Sequence, residues 1–327
     1  MKQRETNPFY YSDDNKRYQT LAYANRRRFG GKVQKAALDG GFSCPNRDGT
    51  CGMGGCVFCS GGSGYFTNGK LSILTQLEAE IARIEKKEKN VRVIAYFQAG
   101  TNTYAPVDIL KARFEPVLRH PKVCGLSIAT RADALPPDVL DYLEALADRC
   151  DLTVELGLQT VHDETARRIN RGHDFQTFLT GYRALKARGI RVCVHLICGL
   201  PGETLAEMRT SAQVLGRLCP DGVKIHLLHV IQGTTLAHWY RTGTYIPMTR
   251  EMYVDAVLCQ LEQLPPETVI ERLTGDGDKH TLLAPEWSKD KRRILGEIDK
   301  ALYERNTYQG RLFLASEADP KQQRIDE

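Results

Sequence analysis

Residues 33–66 read VQKAALDGGFSCPNRDGTCGMGGCVFCSGGSGYF and join a short β-rich run to an unusual loop. The run, Val33–Leu38, has the length and composition of a buried strand, and a glycine-rich loop follows it directly. Glycine gives a backbone the freedom to wrap around a metal centre. The loop carries four cysteines within sixteen residues: Cys44, Cys51, Cys56 and Cys59.

Further β-rich runs follow along the chain, with helix-period stretches between them. The six runs are Val33–Leu38, Val91–Gln98, Cys124–Thr130, Leu152–Gln159, Val192–Cys198 and Val223–Val230. This alternation is typical of βα units that build a parallel sheet covered by helices. We therefore predict an α/β fold, a partial (βα)6 barrel of the TIM type with one open side. A seventh β-like run, Thr268–Leu273, leads into a turn at 275–278 that includes Asp276.

Three segments are expected along the chain. They are a basic N-terminal flank at 1–31, a core barrel at 32–285, and a C-terminal helical extension at 286–327 with a frayed tail from Glu317. No internal repeat or low-complexity linker separates them, so we expect no second independent domain.

Composition is typical of a globular protein of the reducing cytosol. The chain has 327 residues, of which 42% are hydrophobic and 26% charged, and no apolar run is long enough to span a bilayer. Because the N-terminus lacks an apolar signal core, we expect a cytoplasmic protein that meets no membrane, and its ten cysteines need another role than disulfides. The net charge of +5 permits RNA or an anionic cofactor without requiring either.

Basic residues gather near both ends of the chain. They are Arg26, Arg27, Arg28, Lys32 and Lys35 near the start, and Lys289, Lys291, Arg292 and Arg293 near the end. A solvated face is the simpler interpretation, and a rim that contacts phosphates is the alternative.

The cysteine spacing alone leaves three kinds of site open. Four thiolates can hold structural zinc, and Cys56-x-x-Cys59 is a common half of such a site. A redox Cys-x-x-Cys is less favoured because the motif follows a glycine-rich loop and does not open a helix. The third site is an iron–sulfur cluster held by three thiolates, which leaves one iron open. The other cysteines are expected in the core: Cys124, Cys150, Cys193, Cys198, Cys219 and Cys259.

Over about residues 17–312 the sequence resembles the radical S-adenosylmethionine (SAM) enzymes. CPN at 44–46 followed by CVFCSGG at 56–62 resembles the widened motif of the Elongator catalytic subunit, and the chain resembles the YhcC-like family still more closely. The resemblance implies that Cys44, Cys56 and Cys59 bind a [4Fe-4S] cluster whose open iron binds SAM. The commonest spacing in that superfamily is Cys-x3-Cys-x2-Cys. This chain departs from it, so Cys51 is kept as an alternative first ligand.

The resemblance also implies roles for residues at successive strand ends, where parallel sheets of this type carry their function. Gln98, Gly100 and Thr101 replace the Gly-Gly-Glu motif that receives the SAM amino group, and Arg131 lies in a turn similar to TRPD. The remaining implied residues are Glu155 and Gln159 at the ribose or the substrate cavity, Arg171 at the SAM carboxylate, and Cys198, Gly199 and Leu200 at the adenine. Each fits an ordinary structural role when taken singly, and His195 on its apolar strand is expected to be a packed core residue. Because these residues follow one another at successive strand ends, however, together they favour a SAM site.

The implied activity is cleavage of SAM to methionine and a 5′-deoxyadenosyl radical, with a flavodoxin- or ferredoxin-type electron donor. Likeness to Elongator implies tRNA as the substrate, at the C5 side chain of a wobble uridine. Elongator-type chains also carry an acetyltransferase domain, which we do not expect here, so another tRNA transformation or a small-molecule substrate stays open. The alternative from another class is a zinc- or cluster-stabilised RNA-binding scaffold without turnover. The sequence does not indicate the oligomeric state.

Overall fold

The structure is a computed structural model that describes residues 9, 11–61, 67–275, 277–278 and 280–314. Asp276 and the charged tail from Glu317 lie outside these residues. The strands are β1 (Val33–Leu38), β2 (Arg92–Phe97), β3 (Val123–Thr130), β4 (Leu152–Gln159), β5 (Arg191–Cys198), β6 (Gly222–Leu227), β7 (Val230–Ile231), β8 (Val269–Arg272) and β9 (Leu282–Ala284). The helices are α1 (Leu21–Phe29), α2 (Ile73–Glu85), α3 (Val107–Leu118), α4 (Pro137–Ala147), α5 (Asp163–Arg168), α6 (Phe175–Lys186), α7 (Leu205–Arg217), α8 (Thr235–Arg241), α9 (Arg250–Leu261) and α10 (Lys291–Glu304), and a 3-10 helix covers Glu286–Lys289.

Seven strands form one parallel sheet in the order β1-β2-β3-β4-β5-β6-β8. The predicted α/β partial barrel is confirmed, with one strand more than the six predicted, because the run at 268–273 supplies β8 beside β6. The run at 223–230 is shorter than predicted: β6 ends at Leu227, and Val230 belongs to an antiparallel ribbon of β7 and β9. Among the described strands β1 and β8 do not pair with each other, so the barrel stays open on one side.

Side chains on the two faces of the sheet differ in character, as β4 shows. Successive residues of a strand point to opposite faces. Val154, Leu156 and Leu158 belong to the main apolar core, which also contains side chains of the covering helices. Glu155 between them points into the half-barrel. Apolar side chains thus hold the helices on the sheet, and polar side chains line its concave face.

The described parts of the two flanks pack on each other and on the sheet edge. The Gln309 N–H donates to the Arg17 carbonyl (2.9 Å), and the Gln19 N–H donates to the Gln309 side chain (2.8 Å). The Ile270 N–H of β8 donates to the Gln19 carbonyl (2.8 Å), so the N-terminal segment borders the edge strand. The segment boundaries at 31 and 285 stay predictions. Nowhere in the described residues does a helix have the length and apolar character needed to cross a membrane.

Replacing glycine by alanine is expected to have opposite effects on stability at two helical positions. A Cβ on Gly181 in α6 would lie 2.7 Å from the Ala132 carbonyl oxygen, which is backbone and cannot move aside, whereas a Cβ on Gly296 in α10 would meet nothing within 4 Å. We expect Gly181→Ala to lower the free energy of unfolding by about 1–3 kcal/mol, as overpacking does. Gly296→Ala should raise it by about 0.5–1 kcal/mol, since alanine favours a helix. Urea denaturation measures both, and a gain of stability in Gly181→Ala would contradict the tight packing of α6.

Candidate active site at the carboxyl edge of the sheet

The loop that carries the four cysteines follows β1 at the carboxyl edge of the sheet, and Val57 anchors it. The Val57 N–H donates to the Ile169 carbonyl (3.0 Å), and the Val57 carbonyl accepts from the Leu236 N–H (2.8 Å). The Val57 side chain is buried in a second apolar cluster, with Phe58 packed against it. That cluster also contains Ile169, Leu200, Leu228, Val230, Leu236, Ala237, Tyr245 and Ala284. The two apolar residues of Cys-Val-Phe-Cys therefore hold the flanking cysteines against α8 and the residues after α5.

Asparagine side chains tie the same loop to the residues after α5. The Asn46 amide donates to the Asn170 carbonyl (2.6 Å) and to the Cys56 sulfur (3.7 Å). In return, the Asn170 amide donates to the Met53 carbonyl (3.1 Å) and the Gly55 carbonyl (2.8 Å). The loop is thereby held from both sides, and the Cys56 sulfur keeps an N–H donor of the kind that tunes cluster thiolates.

Cys44 and Cys59 lie close enough to Cys56 to act on its thiol. Burial and the neighbouring Cys59 raise the pKa of the Cys56 thiol to about 11, and Cys44 raises it further, while Arg131 opposes the rise. Bound iron would replace the proton of such a thiol. The Cys51 sulfur lies 3.5 Å from an Asp133 carboxylate oxygen and 3.6 Å from the Arg131 guanidinium, so that ion pair already engages it.

No three His, Cys, Asp or Glu side chains among the described residues converge on a point as a single metal ion needs. A four-iron cluster does not require that convergence, because each thiolate binds a different iron.

The loop after β2 lies directly against the residues that precede Cys44. The Thr101 N–H donates to the Ser43 carbonyl (3.0 Å), and Gly100 has a φ of +76°. A Cβ at Gly100 would overlap the Phe42 carbonyl oxygen, so only glycine permits this approach. The Gln98 N–H donates to the Leu38 carbonyl at the end of β1 (3.1 Å). The structure thus brings the predicted Gln98, Gly100 and Thr101 next to the start of the cysteine loop.

Two predicted arginines support the loop after α5. The Arg131 guanidinium pairs with Asp133 (2.6 Å) and donates to the Arg171 carbonyl (2.7 Å). Arg171 is 1% exposed, its guanidinium donates to the carbonyls of Thr160 (2.7 Å) and His173 (2.9 Å), and burial lowers its pKa to about 10. Its Nη2 atom is buried without a hydrogen-bond partner in the described residues, 3.7 Å from Asp163.

Glu155 lies at the centre of a buried polar network inside the half-barrel. Its carboxylate accepts hydrogen bonds from Lys35 (2.6 Å), Ser127 (2.7 Å), His195 (2.8 Å), Tyr96 (2.9 Å) and Lys224. Burial opposes ionisation, but Lys224 and Lys35 outweigh it and hold the pKa of Glu155 well below its usual range. Hydrogen bonds within the protein therefore engage the carboxylate of Glu155, which the sequence analysis assigned to the ribose or the substrate cavity.

His195 belongs to this network and is not a plain apolar core residue. Burial and Lys224 lower its pKa, so the imidazole is neutral near pH 7. A neutral ring facing an ionised carboxylate must place its proton on Nε2, which donates to Glu155. Gln159, at the end of β4, has a φ of +63°, and its amide lies over Gly157, where a Cβ would be 2.6 Å away. The absent side chain of Gly157 makes room for the Gln159 amide.

Sequence reasoning missed most of the network. Lys35 was grouped with surface basic residues, and Tyr96, Ser127 and Lys224 were not singled out. Nor was Glu271 of β8, which pairs with Lys35 (2.6 Å) and so also belongs to the network. The available signal was a lysine in alternation with apolar residues, as in VQKAAL and GVKIHL, since such a lysine faces the concave side.

The predicted adenine edge already makes contacts within the protein. The Cys198 carbonyl accepts from the Leu228 N–H (3.0 Å), and the Gly199 carbonyl accepts from the Tyr245 hydroxyl (2.8 Å). Leu200 is buried in the second apolar cluster beside Val57. These residues therefore lie close to the cysteine loop.

Most of the predicted basic clusters are paired. Arg26 pairs with Asp13 and Arg28 with Asp151, while Lys32 pairs with Glu88 (2.8 Å). Asp151 precedes β4, so α1 reaches the amino edge of the sheet, opposite the cysteine loop. A solvated face describes these residues better than a rim around the site.

Together, the half-barrel and its cysteine loop define an enzyme of the class that uses a [4Fe-4S] cluster and SAM. The sequence profile of the Radical SAM superfamily matches residues 48–215, and that of the Radical_SAM C-terminal domain matches residues 220–304. YtqA of Bacillus subtilis (strain 168) is 49% identical over 311 residues, 94% of this chain and 97% of YtqA. YhcC of Escherichia coli (strain K12) is 38% identical over 279 residues, 85% of this chain and 90% of YhcC. The chain belongs to the radical SAM superfamily and, within it, to the YhcC-like family.

Two further similarities concern Elongator-type proteins. The solved structure of Elp3 from Methanocaldococcus infernus, with an N-terminal deletion, matches at a TM-score of 0.65 and 18% identity, over 85% of this chain and 64% of that one. It has the same fold. A tRNA uridine(34) acetyltransferase of Dehalococcoides mccartyi is 30% identical over 157 residues, 46% of this chain and 33% of its own length.

The network around Glu155 predicts a large loss of stability when its carboxylate is neutralised. Glu155→Gln leaves Lys224 buried without its main counter-charge, and we expect the free energy of unfolding at pH 7 to fall by about 3–5 kcal/mol. Glu251→Gln on the surface is the control and should leave the free energy of unfolding nearly unchanged, since exposed charges contribute little to stability. Adding Lys224→Met to Glu155→Gln should recover part of the loss. Denaturant titration measures all of these, and a neutral effect of Glu155→Gln would contradict the network.

The same variant predicts a change in pH dependence. The pKa of Glu155 is lower in the folded than in the unfolded chain, so its contribution is complete above the ordinary value of 4.5 and is lost as the pH falls below it. As the pH falls from about 5 to about 3, the range in which Glu titrates in the unfolded chain, the free energy of unfolding should therefore fall less steeply in Glu155→Gln than in the unsubstituted protein.

Proposed function

We propose that this radical SAM enzyme holds its cluster through Cys44, Cys56 and Cys59 and binds SAM at the carboxyl edge of the sheet. The observation that supports this most is the anchoring of the turn between Cys56 and Cys59 by Val57. A turn fixed by two main-chain hydrogen bonds and by apolar burial keeps both sulfurs in place before a cluster binds. Cys51 is not part of the proposal because Arg131 and Asp133 engage its sulfur.

The neighbouring strand ends would orient SAM. Gln98, Gly100 and Thr101 are proposed for its amino group, since their loop packs on the residues before Cys44. Arg171 is proposed for the carboxylate, because its Nη2 keeps hydrogens without a hydrogen-bond partner among the described residues, and Arg131 fixes the Arg171 backbone. The proposed adenine contacts are the main chain of Cys198, Gly199 and Leu200.

Inside the half-barrel, we assign Glu155 a positioning role and Gln159 a contact with the ribose or the substrate. Glu155 already accepts from five donors, which leaves its oxygens engaged, whereas the Gln159 amide lies at the end of β4. When bound, the cluster and SAM would supply the radical chemistry for removing a hydrogen from the substrate. The buried loop side chains Thr101, Asn102 and Thr103 would keep water from this chemistry.

Serine replacements test the ligand assignment. After anaerobic reconstitution with iron and sulfide, we expect Cys44→Ser, Cys56→Ser and Cys59→Ser to lose the cluster and the formation of 5′-deoxyadenosine from SAM and a strong reductant. Cys51→Ser is the matched control from the same loop and should keep both. Iron content, visible absorbance and chromatography of the nucleoside measure the outcome. Loss of the cluster in Cys51→Ser with retention in Cys44→Ser would reverse the choice of first ligand.

For the substrate, we propose the side chain of a tRNA wobble uridine. The similarity to a tRNA uridine(34) acetyltransferase supports it, as does the open side of the half-barrel, which gives a large substrate access. Cations on the site's side of the sheet could contact phosphates. One such cation is Arg292 in α10. The Trp287 side chain, just before α10, donates to the Met248 carbonyl (3.2 Å), and Met248 lies beside Gly199 at the end of β5, where a Cβ on the glycine would be 2.9 Å away. The segment that leads to Arg292 therefore lies near the end of β5.

A nucleoside profile tests the substrate. We expect tRNA from cells that lack the gene to lose or accumulate a wobble-uridine derivative, and the unsubstituted gene to restore the profile. The gene with Cys56→Ser is the control and should not restore it. An unchanged profile, measured by liquid chromatography and mass spectrometry, would reject tRNA and leave the enzyme class intact, with a small molecule as the next candidate.

A further inference from the structure

A pocket of about 460 Å³ opens at the amino edge of the sheet, on the side opposite the cysteine loop. Its walls are residues of α1 and of the N-terminal segment on one side, and the first residues of β5 and β8 on the other. A pocket of this size suits a small ligand. The proposed SAM site does not use any of its residues.

Arg191, the first residue of β5, lies in this pocket without a counter-ion among the described residues. Its Nε atom is buried and has no hydrogen-bond partner there. Arg28 lies beside it: burial and the positive charge of Arg191 both lower the pKa of Arg28. Arg28 itself pairs with Asp151. Two neighbouring guanidinium groups repel each other, and an anion between them would remove that repulsion.

None of the carboxylates that line the pocket forms an ion pair with Arg191, although the charge of Asp221 raises the pKa of Arg28. Asp221 already accepts from Lys186 (2.8 Å) and from the Val192 N–H (2.8 Å). Glu271 already accepts from Lys35 (2.6 Å) inside the half-barrel. Glu267 is exposed at the rim.

Arg27 adds a further positive charge at the mouth of the pocket. Its guanidinium donates to the Tyr23 hydroxyl (3.1 Å) and lies over the Tyr23 ring, 5.8 Å from the centroid. No carboxylate of the described residues forms an ion pair with it. Arg27 and Arg191 are thus the uncompensated cations of this pocket.

We propose that this pocket binds a small phosphorylated ligand, with its phosphate held by Arg191 and Arg27. A phosphate carries about two negative charges at neutral pH and can satisfy two guanidinium groups at once, which a single carboxylate matches less well. The concave shape favours a free phosphorylated molecule over the convex backbone of an RNA helix. The site is separate from the cluster, so it does not depend on the ligand assignment proposed above.

Titration of the reconstituted protein with inorganic phosphate and with AMP tests the proposal, in phosphate-free buffer with chloride at matched ionic strength. Isothermal calorimetry gives the affinity, and thermal denaturation gives the stabilisation by ligand. We expect Arg191→Gln to weaken phosphate binding about tenfold or more, as loss of a charge-assisted hydrogen bond does. Arg27→Gln, at an exposed position, should weaken it in the same direction and covers the case in which Arg191→Gln does not fold.

Arg113→Gln removes one positive charge from the exposed side of α3 and is the matched control, with unchanged binding expected. Cys56→Ser should also bind phosphate as well as the unsubstituted protein, which separates this proposal from the cluster assignment. In ligand-free buffer, Arg191→Gln should be at least as stable as the unsubstituted protein because it relieves the repulsion with Arg28. A phosphate affinity unchanged from that of the unsubstituted protein in both Arg191→Gln and Arg27→Gln would overturn the proposal. The proposal would also be overturned if the protein bound a short RNA but bound neither phosphate nor AMP.

Discussion

The half-barrel depends on the hydrogen bonds and ion pairs of one buried carboxylate, that of Glu155. A closed barrel fills its interior with apolar side chains from all of its strands. In an open sheet of seven strands, the polar side chains on the concave face must instead find hydrogen-bond and charge partners among themselves. Here, hydrogen bonds from Lys35, Tyr96, Ser127, His195 and Lys224 connect five strands to β4 through one side chain. Glu271 supplies a second carboxylate beside Lys35 and Lys224, so two positive charges face two negative ones, and the strand ends beyond them are held in a fixed relation.

The cysteine loop depends in turn on those strand ends. Where the structure describes it, up to residue 61 and again from 67, it has no regular secondary structure of its own beyond an isolated bridge between Asp48 and Met53, so the shape of this described part comes from what it contacts. The residues after α5 bind it through Asn170, the loop after β2 binds it through Thr101, and α8 covers Val57. Three separate parts of the chain thus converge on one loop, which is how a glycine-rich segment acquires a defined set of thiols.

Much of this architecture could be predicted from the sequence because its signals are local. The strands at 33–38 and 152–159 have the predicted bounds, since apolar β-rich runs between polar loops mark both ends. The role of β8 was harder to predict, because its pairing with β6 is made across more than forty residues. The inward lysines were missed for the same reason: a charge within a strand is compensated only by residues on distant strands, which a local pattern does not contain.

The central claim is that three cysteines of this loop leave one iron of a [4Fe-4S] cluster open for SAM. The most direct measurement is electron paramagnetic resonance of the reduced, reconstituted protein before and after addition of SAM. We predict a four-iron signal that changes when SAM is added and that is absent from Cys56→Ser. A reduced cluster whose signal does not respond to SAM, or a colourless protein that holds zinc, would contradict the account.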